Sequence, residues 1–486
     1  MKHSTPPNPL KKGTVHILSI DSLAMGGKGI ARLNKFIVFV ERSLPGQVVE
    51  AVIVKKKKNY AEARVLNILE QSPFSVSAPC PHFGVCGGCL NQNLKYEKQI
   101  EYKQHQIRET LEHLAGMNEI NMQPILPSPD IYFYRNKMEF SFSNQRWLTD
   151  EEIASEAEIS EKNFALGMHI PRRYDKVLDL RLCLLLSEFS NDVFTHIKNW
   201  VKSSQLPPYA LHNHSGFWRF LILREGKNTG DFMVNIVTAN RPNDYESLNE
   251  FAKSLVQAFP RITTIVHTIN KTRAQVATGD EVRILHGTGF IIEKLGDLSY
   301  RISANSFFQT NTRQTQNLYD KIIEFGQFSG YENVYDLYCG AGSISVYIAP
   351  KVQHVTGIEI FSQAIEDARH NARLNEIENC TFIVGDIKDT ISKPQNLIQK
   401  HGTPDVVIID PPRAGMHQDI PHKIVELAPK KIIYVSCNPA TQARDLKILC
   451  NTSYQLLKIQ AIDMFPHTAH CEAIALLSRK DIQSDF

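Results

Sequence analysis

The sequence has no stretch approaching the ~20 consecutive apolar residues of a membrane helix, so no membrane-spanning helix is expected. Its start, Met1 to Lys12, is polar and proline-bearing and lacks the apolar core of a secretory signal, which predicts a cytoplasmic protein. It has no internal repeat and no low-complexity tract, which excludes solenoid and disordered-linker architectures. It also lacks a disulfide framework: nine cysteines are an odd number in a long chain without an export signal. An excess of charge of either sign is nearly absent overall: 54 Lys/Arg against 51 Asp/Glu give a formal net charge of +3 over 486 residues.

That near-neutrality hides an asymmetry. Residues 1–70 hold twelve Lys/Arg against five acids, a net +7 that leaves −4 for the remaining 416 residues. A basic module on a neutral body suits a polyanion partner, although on charge alone a solvated basic face is the plainer reading. Thr14–Ile20, Lys35–Val40, Gln47–Lys55 and Ala61–Leu69 read as short strands between turns at Gly26-Gly27, Gly29 and Pro45-Gly46. Such strands predict a small OB-like β-barrel over 10–70. Three cysteines then cluster as Cys80-x5-Cys86-x2-Cys89, the spacing of a metal site in a reducing compartment. Leu94–Gly116 reads as a long polar helix whose apolar positions are Ile100, Ile107, Leu111 and Leu114. A mixed α+β region occupies roughly 124–300, in which the acidic stretch 151–161 looks like a surface insertion.

From about residue 301, apolar strands (332–337, 354–359, 380–384, 405–409, 431–435 and Ala473–Leu477) alternate with amphipathic helices. The pattern predicts an α/β doubly wound, mostly parallel sheet, whose ligands bind beyond the strands' C-terminal ends. Each strand end carries a distinctive group. The first runs into Tyr338-Cys339-Gly340-Ala341-Gly342-Ser343, a glycine turn in which Ser345 replaces the third glycine of a dinucleotide fingerprint. The second ends in Glu359, placed to accept from a ribose diol, and the third is followed by Asp386, placed to accept from an adenine amine. Singly these are ordinary strand-end acids. In this order they describe an adenosine pocket without a phosphate site, for which S-adenosylmethionine is the common ligand.

The fourth strand leads into Asp410-Pro411-Pro412-Arg413, where an amino-directed methyltransferase would place an aromatic residue after the prolines. The fifth ends in Ser436-Cys437-Asn438-Pro439. Carbon 5 of uracil is too weak a nucleophile to take a methyl group unaided; addition of a thiolate at C6 puts electron density on C5, after which a base must remove the C5 proton. Cys437 is the nucleophile this predicts, its thiol needing nearby positive charge or helix amides. Glu472, in the segment Met464–Glu472, is the predicted base, with His467 and His470 as alternatives that read better as structural histidines. Cys339, Cys380, Cys450 and Cys471 read as buried and inert.

Five ordered motifs now identify a resemblance: Phe307-Phe308-Gln309-Thr310-Asn311, Asp336–Gly342, Asp410–Arg413, Ser436–Pro439 and Met464–Glu472. The chain resembles the RNA uracil-5-methyltransferases of the TrmA/RumA type. The resemblance implies Cys437 as nucleophile and Glu472 as base. It implies a pocket for cofactor and base lined by Gln309, Tyr338, Ser343, Glu359, Asp386 and Asp410, with Gly340 and Gly342 at the turn. Ser343 stands where some members have Asn. The barrel resembles a TRAM domain, and Cys80, Cys86, Cys89 and the distant Cys183 resemble the family's [4Fe–4S] ligand set, where spacing alone would have put zinc first. The implied division is a TRAM barrel (10–70), a central domain (73–91 with 124–306) and a methyltransferase domain (92–123 with 307–486). The implied substrate is structured RNA, 23S ribosomal RNA ahead of tRNA, with no stable protein partner. Lys55–Lys58, Tyr132, Phe133, Tyr134, Arg135 and Lys137 are candidate RNA contacts, core packing being the plainer reading of the aromatics. A cytosine-5-methyltransferase would differ by a Pro-Cys pair where this chain has Asp410-Pro411-Pro412. An iron–sulfur oxidoreductase and a non-catalytic RNA-binding protein are the alternatives of other classes.

Overall fold

A computed structural model describes residues 10–33, 36–155 and 161–482. The proline-bearing start up to residue 9, Lys35 and residues 156–160 of the acidic stretch lie outside them. Among the described residues no helix is long and apolar enough to cross a membrane.

Six strands form the N-terminal sheet, in the order Val15–Ser19, Val48–Lys56, Tyr60–Glu70, Phe36–Glu41, Gly29–Leu33, Ser22–Leu23. Alternation drives it: Val38, Val40, Val49, Ala51, Ile53, Ala61 and Ala63 point inward at almost no exposure, while their neighbours face water. The first strand returns against Gly29–Leu33, so the sheet curls into a barrel. Gly29 is therefore a strand residue and not a turn. Its place is fixed by crowding, since a Cβ there would lie 2.2 Å from the Ser43 hydroxyl.

The middle region carries a seven-stranded sheet running from Arg173–Asp179 at one edge to Glu281–His286 at the other. Helices Glu188–Ser203 and Ser247–Ala258 bury Phe194, Ile197, Phe251 and Leu255 in its core. Asp150–Ala154 forms one capped helical turn with no buried residue.

The C-terminal sheet has eight strands in the order Cys380–Val384, His354–Glu359, Asn333–Leu337, Val406–Ile409, Lys431–Ser436, Glu472–Arg479, Tyr454–Ile462, Met122–Leu126. The first five are parallel, and the four inner ones are nearly wholly buried, which is why they read as unbroken apolar runs, whereas Cys380–Val384 at the edge buries only Phe382. Glu472–Arg479 is antiparallel to both neighbours. This is the doubly wound methyltransferase sheet expected from the sequence, with two strands more than the sequence predicts.

The long helix also departs from expectation. It is α-helical over Tyr96–Thr110, closes with a π turn at Leu111–Ala115 and stops at Gly116 in the left-handed region. Its buried stripe is Gln99, Lys103, Ile107, Leu111 and Ala115, whereas Leu114 is half exposed. Two polar residues can occupy that stripe because the segment before the last strand pairs with them. Lys103 Nζ meets Asp463 at 2.7 Å with both side chains buried, and donates to the Phe465 carbonyl at 3.0 Å. The Tyr96 hydroxyl completes Asp463 at 2.9 Å. Removing one charge of such a pair leaves the other buried and uncompensated. Lys103→Met will accordingly cost about 3–5 kcal/mol, measured as a shift in the urea midpoint. Lys103→Met paired with Asp463→Leu will recover most of the loss.

Candidate active site

Strand register brings Cys437 and Glu472, the predicted nucleophile and base, together. Lys431–Ser436 and Glu472–Arg479 pair antiparallel with Ser436 opposite Ala473. Cys437, one residue past the end of its strand, and Glu472, the first residue of the next, are thus neighbours at the sheet's mouth. Glu472 is 4% exposed. Burial, and then the charge of Asp410, push its carboxyl up to about 8, with Arg413 opposing. Burial raises Asp410 to about 7. Burial, Glu472 and Asp410 push the Cys437 thiol up to about 11, against a lowering by Arg413. The positive charge that the thiolate requires is present in Arg413 but does not prevail in the chain alone. Cys437, Arg413, Asn438 and His470 line a cavity of about 210 Å³, closed on one side by Lys103 and Gln106 of the long helix.

The predicted cofactor residues surround the first strand's end. Tyr338, Gly340 and Gly342 all have positive φ, the turn that carries the chain from Leu337 into the helix Ser343–Ile348. Glycine is required at 342 for space too, because a Cβ would lie 2.8 Å from that of Ala368 and 3.2 Å from the Phe382 ring. Glu359 is anchored by two backbone donors, the Gly340 N–H at 3.2 Å and the Phe361 N–H at 3.1 Å. Asp386 caps the short turn after its strand, accepting from the Lys388 N–H at 2.8 Å. Gln309 is held by its backbone: its carbonyl accepts from Asn136 Nδ2 at 2.9 Å. The Ser343 hydroxyl lies 2.7 Å from that of Tyr319, a contact made within the protein.

One residue of this site was not singled out from the sequence. Asp336 is fully buried, bonded through one oxygen to the Ser345 hydroxyl, with its other oxygen unpartnered. Burial, with Asp410 and Glu359 nearby, raises its carboxyl to about 7. Its position, two residues before the Tyr338–Ser343 turn, was the available signal.

The Met464–Glu472 segment is clamped from three directions. His467 has φ of +66°, a strained conformation for a non-glycine residue. Its carbonyl accepts from the N–H groups of Leu90 and Asn91 at 2.8 and 3.0 Å, and its N–H donates to Gln99 at 3.0 Å. Its ring stacks on Tyr132 at 4.4 Å, and burial depresses it to about 4. Tyr134 is core, donating from its hydroxyl to the Pro466 carbonyl at 3.1 Å, whereas Phe133 is 44% exposed.

Leu90 and Asn91 continue the cysteine loop, so that loop abuts the segment bearing Glu472. Cys80, Cys86, Cys89 and Cys183 share one neighbourhood: burial, with a smaller contribution from the other thiols of the set, pushes Cys86 and Cys89 up to about 11 and 12. The Gly88 N–H points at the Cys86 sulfur at 3.4 Å. Among the described residues, no three His, Cys, Asp or Glu side chains stand in an arrangement that could hold a metal ion.

Comparison with known proteins agrees with this architecture. The tRNA (Uracil-5-)-methyltransferase family matches residues 267–480, and the TRAM domain matches 9–66. An uncharacterized RNA methyltransferase of Bacteroides thetaiotaomicron is 40% identical over 94% of this chain and 99% of its own. One of Chlorobaculum tepidum is 41% identical over 90% of each. The crystal structure of Pyrococcus abyssi tRNA (uracil-54, C5)-methyltransferase, in complex with S-adenosyl-L-homocysteine, is 29% identical with a TM-score of 0.72, covering 95% of this chain and 99% of that one. With a TRAM barrel ahead of a methyltransferase sheet, and relatives that match it end to end, the chain belongs to the RNA uracil-5-methyltransferase family of the TrmA/RumA type.

Proposed function

We propose that this protein methylates carbon 5 of a uridine in 23S rRNA through a covalent bond between Cys437 and C6 of the base. The observation that carries the reading is the pairing of Ser436 with Ala473, which sets a thiol beside a buried carboxyl at the mouth of the sheet. Cys437 Sγ adds to C6, and the C5–C6 electron pair moves onto C5 as an enolate. C5 takes the methyl group. Glu472 then removes the C5 proton, the pair re-forms the C5–C6 double bond, and Cys437 leaves as thiolate.

S-adenosylmethionine, when bound, supplies the methyl group and a sulfonium cation. The residues present fit it: Asp336 offers a buried unpartnered oxygen, Glu359 is held by two N–H donors, and Asp336, Asp410 and Glu472 are all raised carboxyls that a cation would relieve. Glu359 accepts from the ribose, Asp386 from the adenine amine, and Gln309, Tyr338, Gly340, Gly342, Ser343 and Asp410 line the pocket.

By resemblance to the family, Cys80, Cys86, Cys89 and Cys183 are the residues that would hold a [4Fe–4S] cluster; the four thiols share one neighbourhood, with a backbone N–H pointing at one sulfur, but as they stand they do not form a metal-holding arrangement. Methyl transfer by this route moves no electrons, so the cluster would support the central region and the RNA-binding surface. Anaerobically purified protein will contain iron and acid-labile sulfide in equal amounts. Zinc in their place would overturn the cluster assignment and leave the methylation reading intact.

What supports 23S rRNA is the combination of barrel and cysteine set. A tRNA uridine is the second reading, favoured by the Pyrococcus abyssi enzyme, which acts on tRNA and spans the same length. Incubation with labelled S-adenosylmethionine and 23S rRNA or tRNA transcripts, followed by nucleoside digestion, tests both. Label in 5-methyluridine from 23S rRNA supports the proposal, and label from tRNA alone supports the second reading. Label in 5-methylcytidine overturns both.

A further inference from the structure

The cavity that holds Cys437 is not built by the methyltransferase sheet and its helices alone. Met25 and Gly26, on the Ala24–Gly27 turn of the N-terminal barrel, line it together with Cys437, Arg413 and His470. The turn is tight: the Ala24 N–H donates to Lys28 and the Gly27 N–H to Ala24, with Gly26 and Gly27 at φ of +89° and +81°. It is also fixed in place. Gln106 Nε2 donates to the Leu23 carbonyl at 2.9 Å, Leu23 packs with Leu44 and Leu94, and the Thr110 hydroxyl meets the Met25 sulfur at 3.4 Å. Met25 itself remains 46% exposed and belongs to no hydrophobic core.

A large flexible apolar side chain at the lip of a reactive cavity, held on an anchored turn, has a defined use. An everted base needs contact on its faces to replace the stacking it has lost. A thioether suits this, because it adapts its shape and gains from contact with an aromatic ring. The anchoring matters equally. Any RNA strand held by the barrel is placed relative to Cys437 by the same turn.

We propose that the Ala24–Gly27 turn forms a wall of the target-base pocket, with Met25 as the residue that positions the everted uracil against Cys437. The inference rests on the uridine-methylation reading above. It assigns to the barrel a part in positioning the base, beyond holding RNA at a distance.

The test uses the full-length protein and RNA containing 5-fluorouridine. Fluorine at C5 cannot be abstracted as a proton, so the covalent complex accumulates and its rate of formation can be followed on denaturing gels. At saturating RNA and S-adenosylmethionine, Met25→Ala will slow adduct formation by about tenfold. RNA and S-adenosylmethionine affinities will stay within about twofold of wild type, and Met25→Leu will restore most of the rate. An unchanged rate at saturation, with or without weaker RNA binding, would overturn the proposal and leave Met25 a packing residue. So would loss of S-adenosylmethionine binding in Met25→Ala, which marks general damage. A wild-type protein that forms neither adduct nor 5-methyluridine would instead sink the methylation reading and this inference with it.

Discussion

Glu472→Gln will stall the reaction after methyl transfer. Glutamine keeps the size and polarity of the side chain but cannot accept the C5 proton, so elimination of Cys437 from the methylated ring has no base. RNA will be found attached to the protein and already carrying the methyl group, with turnover lower by about 10²–10⁴-fold. The complex will be visible on denaturing gels with ordinary uridine RNA, without fluorinated substrate. The same carboxyl sets the pH profile. With Glu472 at about 8 and the Cys437 thiol at about 11 in the chain alone, both reactive forms are scarce at pH 6 and grow as the pH rises, so wild-type turnover climbs through neutral pH. A Glu472→Gln protein that turns over normally, or stalls with an unmethylated ring, would place the base elsewhere; His470, which lines the same cavity, would be next.

Cys437→Ala will abolish methylation and adduct formation together, because without addition at C6 there is no carbanion character at C5. Loss of a covalent nucleophile removes the whole pathway and not a fraction of its stabilisation, so residual activity will be at background. The substitution leaves the fold alone: Cys437 lies beyond the strand Lys431–Ser436 and before the helix Pro439–Asn451, whose N-terminus is capped by Asn438. Binding of S-adenosylmethionine will strengthen or stay constant, since the group removed is not among those lining the adenosine pocket. Cys471→Ala separates the two thiols of this region. Cys471 is buried and its thiol is strongly disfavoured from ionising by that burial, so the variant will keep its activity.

The parallel strands and the groups at their ends were legible in the sequence for one physical reason. A strand buried on both faces is an apolar run, and whatever polar residue follows it stands at the binding edge. Glu359, Asp410 and Cys437 all follow such runs. The strands Met122–Leu126 and Tyr454–Ile462 were missed because they are the last two of the sheet, the first of them at its edge, where burial is partial. Pro124 interrupts one, and Gln455, Lys458 and Gln460 break the pattern of the other. The long helix misled in the opposite sense. Its buried face includes Gln99 and Lys103, whose partners in 463–467 are remote in sequence, so periodicity pointed to Leu114 instead. Met25 could not be found from the sequence at all, since nothing local distinguishes it from any other residue in a glycine-bearing turn.

These relations make the segment 463–472 the junction of the molecule. The helix holds it through Lys103 and Gln99, the cysteine loop through Leu90 and Asn91, and the middle sheet's approach through Tyr134. Glu472 inherits its position from all three.

The most direct test of the covalent mechanism is mass spectrometry of the protein after incubation with 5-fluorouridine RNA and S-adenosylmethionine, followed by nuclease and protease digestion. The account predicts a methylated 5-fluorouridine nucleotide on the peptide carrying Cys437 and on no other. A nucleotide attached to a different cysteine, or no attachment from protein that forms 5-methyluridine in ordinary RNA, would contradict it.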